Sequence, residues 1–396
     1  MIASTSSCVA LLRPLLAGLL LALAACGGGV ETGGTGAGAY VQGPIGGFGS
    51  VIVAGVRFDD SAASIEDPDG RVRGRDDLRL GMLVEVESGP IGNDGSGGRV
   101  ATATRVRLAS ELLGPVASIE LGGTRLTVLG QPVRLTPATV IDGVAGGATS
   151  LRVDDVVEVH GFFAQADGYV ATRVERRSVA PTTYRVRGQV RDLDTIAKTL
   201  RIGSQVFDLN AIGLPGGLDK DQFVRLTLQT AQIGGRWPVT AIAIESRSAG
   251  DRDEAEIEGL ISAFTSATTF SVNGLRVDAA GATFIDGSAG LREGVRVKVR
   301  GRSQAGVLVA ATVDIRSDDD AFSEGVDLRD VIGSVDAAAQ TFTLRGITVF
   351  YGTQPPPIFD NGTALDLAKD SKVRVRGNLS ADRTRVVATR IEFVNN

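Results

Sequence analysis

The chain reads as an all-β protein in which five small β-barrels of about five strands each follow an N-terminal leader and a glycine-rich tether. Three observations predict it. One sequence unit recurs five times at nearly constant spacing. Within each unit, valine, isoleucine and leucine alternate with polar residues, the period of a strand with one buried face. The 396 residues include 52 glycines and only 5% aromatics, a mixture that suits many short strands and tight turns rather than disorder.

The unit opens on a glycine landmark: Gly43-Pro44-Ile45, Gly114-Pro115-Val116, Gly188-Gln189-Val190, Gly259-Leu260-Ile261 and Gly333-Ser334-Val335. The spacings are 71, 74, 71 and 74 residues, and a second landmark keeps step, so chance repetition is excluded. That second landmark is a leucine, a Gly or Asp three residues on, and an alternating pair. It reads Leu78, Gly81, Val84 and Val86, then Leu151, Asp154, Val157 and Val159 in the next copy. Copies three to five give Leu218 with Val224 and Leu226, Leu291 with Val297 and Val299, and Leu367 with Val373 and Val375. The alternation predicts the fourth strand, and the leucine before it plugs the core. A closing strand carries Ala-x-x-Val or Ile at Ala103/Val106, Ala171/Val174, Ala241/Ile244, Ala310/Val313 and Ala388/Ile391.

Shorter strands fill the front half, in copy two at 116–119, 125–128 and 133–136. The longest irregular stretch falls between strands three and four. Five strands in about 72 residues match the plan of a small OB-like barrel, although a five-strand sandwich would show the same pattern. Closure removes sheet edges that could aggregate. Each copy can bury its own core, so the expectation is a row of beads. The organisation is a leader at 1–25, a tether at 26–42, and repeats at 43–113, 114–185, 186–257, 258–328 and 329–396.

The run Gly43-Pro44-Ile45 to Val56-Arg57-Phe58, the Leu78 turn with its Val84-Glu85-Val86 strand, and Gly114-Pro115-Val116 with Val128-Leu129-Gly130-Gln131 resemble the tandem bacterial family called domain of unknown function 5666. The resemblance is clear in copies one and two, weaker in four, and faint in three and five. It implies the repeat architecture and no catalytic residues.

The N-terminus fixes an expected location. Arg13 precedes an apolar run from Pro14 to Ala25, too short to span a membrane and closed by small residues, which reads as a secretory signal. Leu23-Ala24-Ala25-Cys26 resembles the lipobox of bacterial lipoproteins, which implies lipidation of Cys26. Several acyl chains anchor a protein stably where one does not. The glycine-rich stretch after Cys26 is a flexible tether, and by the same resemblance Gly27 favours the outer membrane. The expected protein is an outer-membrane lipoprotein, periplasmic or surface-exposed, whose membrane partner is reached through the N-terminal lipid.

Chemistry beyond the anchor is sparse. Cys8 leaves with the leader, so no thiol remains for a disulfide or a nucleophile. With 41 Lys and Arg against 46 Asp and Glu the net charge is −5, which argues against nucleic acid. His160 is the single histidine; alternation points it away from its barrel, predicting a solvated surface position. The same outward face carries Glu85 and Glu87 in copy one but Arg374 and Arg376 in copy five, so the copies are not five equal sites for one charged ligand. Asp67-Pro68-Asp69-Gly70 opens like a calcium loop, yet the twelfth position is Leu78 rather than glutamate. The acidic links, Asp318, Asp319, Asp320 and Glu324 before copy five and Asp251 to Glu256 before copy four, are the candidate calcium ligands. Phe162, Phe163 and Tyr169, at one hairpin tip, are the candidate ligand-binding rings for a sugar or a partner protein. The expectation is a non-catalytic spacer or interaction module of the cell envelope that uses no cofactor and contacts an envelope protein or glycan. The alternative is a calcium- or small-ligand-binding protein using the acidic links.

Overall fold

The alternating valines of the second landmark build the barrels. In a computed structural model, which describes residue 1 and residues 38–394 apart from 96, 121, 165–167, 246–248 and 318–324, Val84, Val86, Val157, Val159, Val224, Leu226, Val297, Val299, Val373 and Val375 are all fully buried. The leucine plugs Leu78, Leu151, Leu291 and Leu367 are buried with them, and Leu218 is half-buried. Among the described residues there is no α-helix, and no helix is long and apolar enough to cross a membrane.

Barrel two shows the plan. Its strands are Leu112–Ile119, Arg125–Val128, Gln131–Asp142, Val156–Ala164 and Gly168–Arg176. The first pairs with the second, the second with the third, the third with the fifth in parallel, the fifth with the fourth, and the fourth with the first. The order 1-2-3-5-4-1 closes on itself. The other four units close in the same order through a parallel contact between third and fifth strands, and in barrels one, four and five a short extra strand at 64–66, 283–284 and 358–360 adds a second parallel contact to the fifth. All five are therefore OB-like barrels, and the sandwich alternative falls away. Their first strands are Ala39–Phe48, Leu112–Ile119, Tyr184–Asp194, Arg252–Ser266 and Val326–Asp336. The first of these begins inside the stretch read as tether.

The opening glycines share one register. Gly43, Gly114, Gly188 and Gly259 face Val84, Val157, Val224 and Val297 of the fourth strand. A Cβ on Gly114 would lie 2.6 Å from the Leu129 side chain, and one on Gly259 would lie 2.1 Å from that of Asn273. Each glycine is the gap over which the second hairpin folds. In barrel five the residue facing Val373 is Asp330, so Gly333 is a displaced match, three residues off register. Copy three departs at the closing strand: Ala241 and Ile244 are exposed, while Val239 is buried and Ile242 half-buried. A bulge at Thr227/Leu228 shifts the pairing there.

The barrels are not beads in a row. From residue 38 onward the described chain is one compact unit. Residues 39–42 pair in parallel with 254–257 of barrel four, and Gly47 and Phe48 pair with Asp327 and Leu328 of barrel five. Leu112 and Leu113 of barrel two pair with Val186 and Arg185 of barrel three. Leu83, Phe162, Val170 and Leu260, from barrels one, two and four, form a further apolar core that belongs to no single barrel. The cores themselves run together, barrel one with five and barrel two with three, and burying apolar surface between barrels in this way explains why the row collapses.

Candidate functional site

The fusion of barrels two and three creates the most elaborate polar surface of the molecule. Leu113 faces Glu158 on one side and Arg185 on the other, and Leu112 faces Val159 and Val186 in the same way. Three strands from two barrels thus form one continuous sheet. Side chains alternate across it, so the face opposite the cores carries Glu158, His160, Arg185 and the Arg187–Glu111 ion pair. That pair closes at 3.0 Å with both side chains buried. Burial opposes the charge on Arg187, but Glu111 and Glu245 outweigh it and hold the guanidinium above its ordinary value.

A loop of barrel one, residues 67–70, lies over this face. Asp67 shapes it from within: Oδ1 accepts from the amides of Asp69 and Arg71 at 2.9 and 3.0 Å, and Oδ2 accepts from Arg73 at 2.7 Å. Burial raises the Asp67 carboxyl, yet these hydrogen bonds bring it below its ordinary value. Its oxygens are committed to the protein, and the calcium-loop likeness ends there. At the tip, Arg225 of barrel three donates to the Pro68 carbonyl, and Asp69 lies 3.8 Å from Arg225 and 4.0 Å from Arg185.

The loop separates two cavities. One, of about 420 Å³, is lined by Glu85, Arg107, Arg225 and Glu245 among others. The other, of about 370 Å³, is lined by Arg71, Arg79, Glu158, His160, Arg177 and Arg185 among others. His160 is therefore not the solvated residue that alternation predicts. It does point away from its own barrel, but neighbouring barrels cover it and it is 1% exposed. Neither ring nitrogen has a hydrogen-bond partner among the described residues. Burial pushes its pKa below the ordinary value of 6.5, outweighing the opposite pull of Glu158.

The candidate rings also need correction. Phe162, Phe163 and Tyr169 are buried, not displayed for a sugar. Phe163 stacks edge-on against Tyr169 at 5.5 Å and against Phe223 of barrel three at 5.0 Å. The Tyr169 hydroxyl donates to the Arg187 carbonyl, and the Arg296 guanidinium of barrel four covers Phe162 at 5.2 Å. The rings join barrels within the chain. Cys26 and the acidic residues Asp318, Asp319, Asp320 and Glu324 lie outside the described residues. In the other acidic link, Glu256 is buried and holds Arg99 at 2.7 Å, Lys298 at 3.0 Å and Arg300 at 3.1 Å. Asp251 and Glu254 there accept backbone N–H groups from Ala305 and Ile91. No group of three or more His, Cys, Asp or Glu among the described residues could hold a metal ion.

The sequence reading singles out none of Arg185, Arg187 and Glu111, and takes Glu256 only as a calcium candidate in an acidic link. A signal for three of these four exists in Arg185-Val186-Arg187-Gly188 and in Glu254-Ala255-Glu256-Ile257-Glu258-Gly259. Charges on one face of a first strand whose other face is core ask for partners on a neighbouring surface.

Three segments, 114–175, 258–314 and 331–392, match the family model described as domain of unknown function, DUF5666. The match to DUF5666 is thus a tandem one, in three repeated segments. They are barrels two, four and five of the closed order described above. Barrels one and three share the strand order of the matched barrels but fall outside the matched segments, so the resemblance seen in copy one is not among them, while copy five is. No curated protein matches the chain. Among solved structures, drosophila Unr CSD456 is similar at 14% identity over 53% of this chain and 98% of that one, with a TM-score of 0.15. A likeness that slight carries no argument.

Proposed function

We propose that the tandem DUF5666 barrels form a rigid, non-catalytic recognition head, held at the outer membrane by an acylated Cys26 and presented to an envelope protein or glycan. The observation that carries this reading is the strand-level fusion of the barrels. A spacer gains reach from units strung end to end, whereas here barrel one pairs with barrels four and five, and barrel two with barrel three. That spends length to make one body with a composite surface. Reach then falls to the glycine-rich tether, whose flexible chain suits it. The charged residues of the junction serve as ion-pair partners between barrels, a structural use that supports recognition over turnover.

The test is crosslinking in living cells, followed by purification of the whole chain in detergent. Recovery of one envelope protein or glycan, retained by the wild type and lost when the barrels are removed but the lipid anchor kept, supports the head. Turnover of peptidoglycan or another envelope glycan by the purified chain, abolished by a point change, overturns it.

A further inference from the structure

We infer that the cavity of about 370 Å³ beneath the 67–70 loop is a binding site for a small hydroxylated oxyanion, a sugar acid or sugar phosphate of one ring. The inference rests on the recognition-head reading and adds the chemistry of what is recognised.

The first argument is which polar groups of the wall are already spoken for. Asp67 is closed by its own loop and by Arg73. Glu158 and Glu175 share Arg177, at 3.4 and 2.8 Å, and Glu175 also holds Arg173 at 2.9 Å. Asp77 accepts from the Gly74 amide at 2.9 Å. Asp67, Glu158 and Glu175 are engaged by arginines, whereas Asp69 reaches Arg225 and Arg185 only at 3.8 and 4.0 Å and Asp77 has no ion pair among the described residues, so the guanidiniums of Arg71, Arg79 and Arg185 outnumber the two lightly held carboxylates by one.

The groups with capacity left are donors. Arg185 Nη1 is buried without a hydrogen-bond partner, while its Nη2 reaches Asp69 only at 4.0 Å. Arg71 and Arg79 bring two more guanidiniums to the wall, neither ion-paired among the described residues; Arg79 donates to the backbone carbonyls of Asp76 and Leu78. Guanidinium is the side chain best matched to carboxylate and phosphate, because its fork meets two oxygens at once.

His160 adds the second half of the ligand. It lines the same cavity, is almost wholly buried, and both its ring nitrogens are without partners among the described residues. A neutral imidazole has one N–H to give and one lone pair to receive. A hydroxyl-bearing ligand satisfies both, and a bare inorganic anion does not. The volume sits at the low end of the range for small-molecule sites, about 300–1,000 Å³, and so fits a single ring rather than an oligomer.

Four strands from two barrels and a loop from a third contribute to this wall, so an isolated barrel lacks it. That agrees with the drift of charge from copy to copy along the chain. The site belongs to the assembly, once per molecule.

The test is isothermal titration of the whole chain in detergent with galacturonate, glucose 1-phosphate, galactose and inorganic phosphate. Binding of galacturonate or glucose 1-phosphate at one site per chain, at least tenfold tighter than galactose and than phosphate, is the expected result. Whichever of the two binds better identifies carboxylate or phosphate as the source of charge. Arg185→Gln and His160→Gln should each weaken it about tenfold or more. Since those residues are buried, Arg71→Gln at the exposed rim serves as a variant that cannot unfold the chain, and it should cost severalfold. Equal heats for galactose and galacturonate, no heat for either charged sugar, or unchanged affinity in Arg71→Gln and Arg185→Gln with unchanged melting temperatures would overturn the inference. A chain that captures an envelope partner but takes up none of the four probes keeps the head reading and loses this one.

Discussion

At the scale of single residues, the fold depends on charges that are buried and matched. His160 is the clearest case for pH. In the folded chain burial holds its pKa below 6.5, so in the window beneath that value the unfolded chain binds more protons than the native one. Its stabilising contribution is complete above about pH 6.5 and is lost as pH falls toward the folded value. Burial sets the direction; of the charges that face the ring, Glu158, Glu175 and Glu111 oppose it and Arg173 adds to it. Wild type should therefore lose melting temperature between pH 7 and 5, and His160→Gln should lose less over the same range. Parallel slopes for the two proteins would contradict this. Asp327 acts lower. Burial raises it, but the hydrogen bond from Arg374 holds it below 3.8, so its contribution is present above that value and disappears as pH falls through the folded pKa. Glu256 tests matching directly. Its carboxylate is buried against Arg99, Lys298 and Arg300, of which Arg99 and Arg300 are partly solvated. Glu256→Gln should cost about 2–3 kcal/mol, somewhat under the loss for a fully buried pair. Urea denaturation of the whole chain measures it.

At the scale of elements, one bulge recurs. In barrels two, four and five the fourth strand shifts register at His160/Gly161, Arg300/Gly301 and Arg376/Gly377. A Cβ on these glycines would stand 2.5, 2.0 and 2.2 Å from a carbonyl oxygen of the fifth strand. Because the obstacle is backbone, it cannot rotate aside. Gly301→Val should destabilise by about 2 kcal/mol or more through forced movement of the two strands, and Gly281→Val, where a Cβ meets nothing within 4 Å, should cost far less. Comparing their melting temperatures checks it. This is also the scale at which the sequence was most and least legible. Buried valines of the fourth strand repeat in every copy because each faces its own core, and period-two alternation reports that directly. Gly333 misleads because a glycine matches by identity while register is set by pairing, and the register residue is Asp330. The same alternation says that His160, Phe162 and Glu256 leave their barrel's core. It carries no information on whether another barrel covers them, since that depends on contacts between distant repeats. The candidate site is assembled from such contacts, so its carboxylates and arginines were visible only as scattered charge.

At the scale of the molecule, two expectations separate anchor from body. On the proposed anchor, Cys26→Ser should abolish labelling by a palmitate analogue and leave the chain uncleaved on its signal peptide or released as a soluble species, while the melting temperature of the barrels stays the same. A serine variant that still incorporates the label refutes the anchor. The body should melt as a unit. Barrels that share strands and a common apolar cluster at Leu83, Phe162, Val170 and Leu260 have few states in which one opens alone. Phe162→Ala removes a large buried ring from that cluster and should lower the whole transition by about 3 kcal/mol, rather than split off a separate melting step for barrel two. Differential scanning calorimetry distinguishes the outcomes.

The first strand, Ala39–Phe48, pairs with strands that lie more than two hundred residues further along the chain. Synthesis runs from the N-terminus, so barrel one emerges with two stretches of backbone donors and acceptors unmet, and their partners are made more than two hundred residues later. Until then the strand is an open edge, the kind that recruits whatever chain is nearby. Closing it late makes folding slow, because contacts so distant in sequence carry a large loop-closure cost. A cell that makes this protein must therefore shelter that strand until barrels four and five arrive.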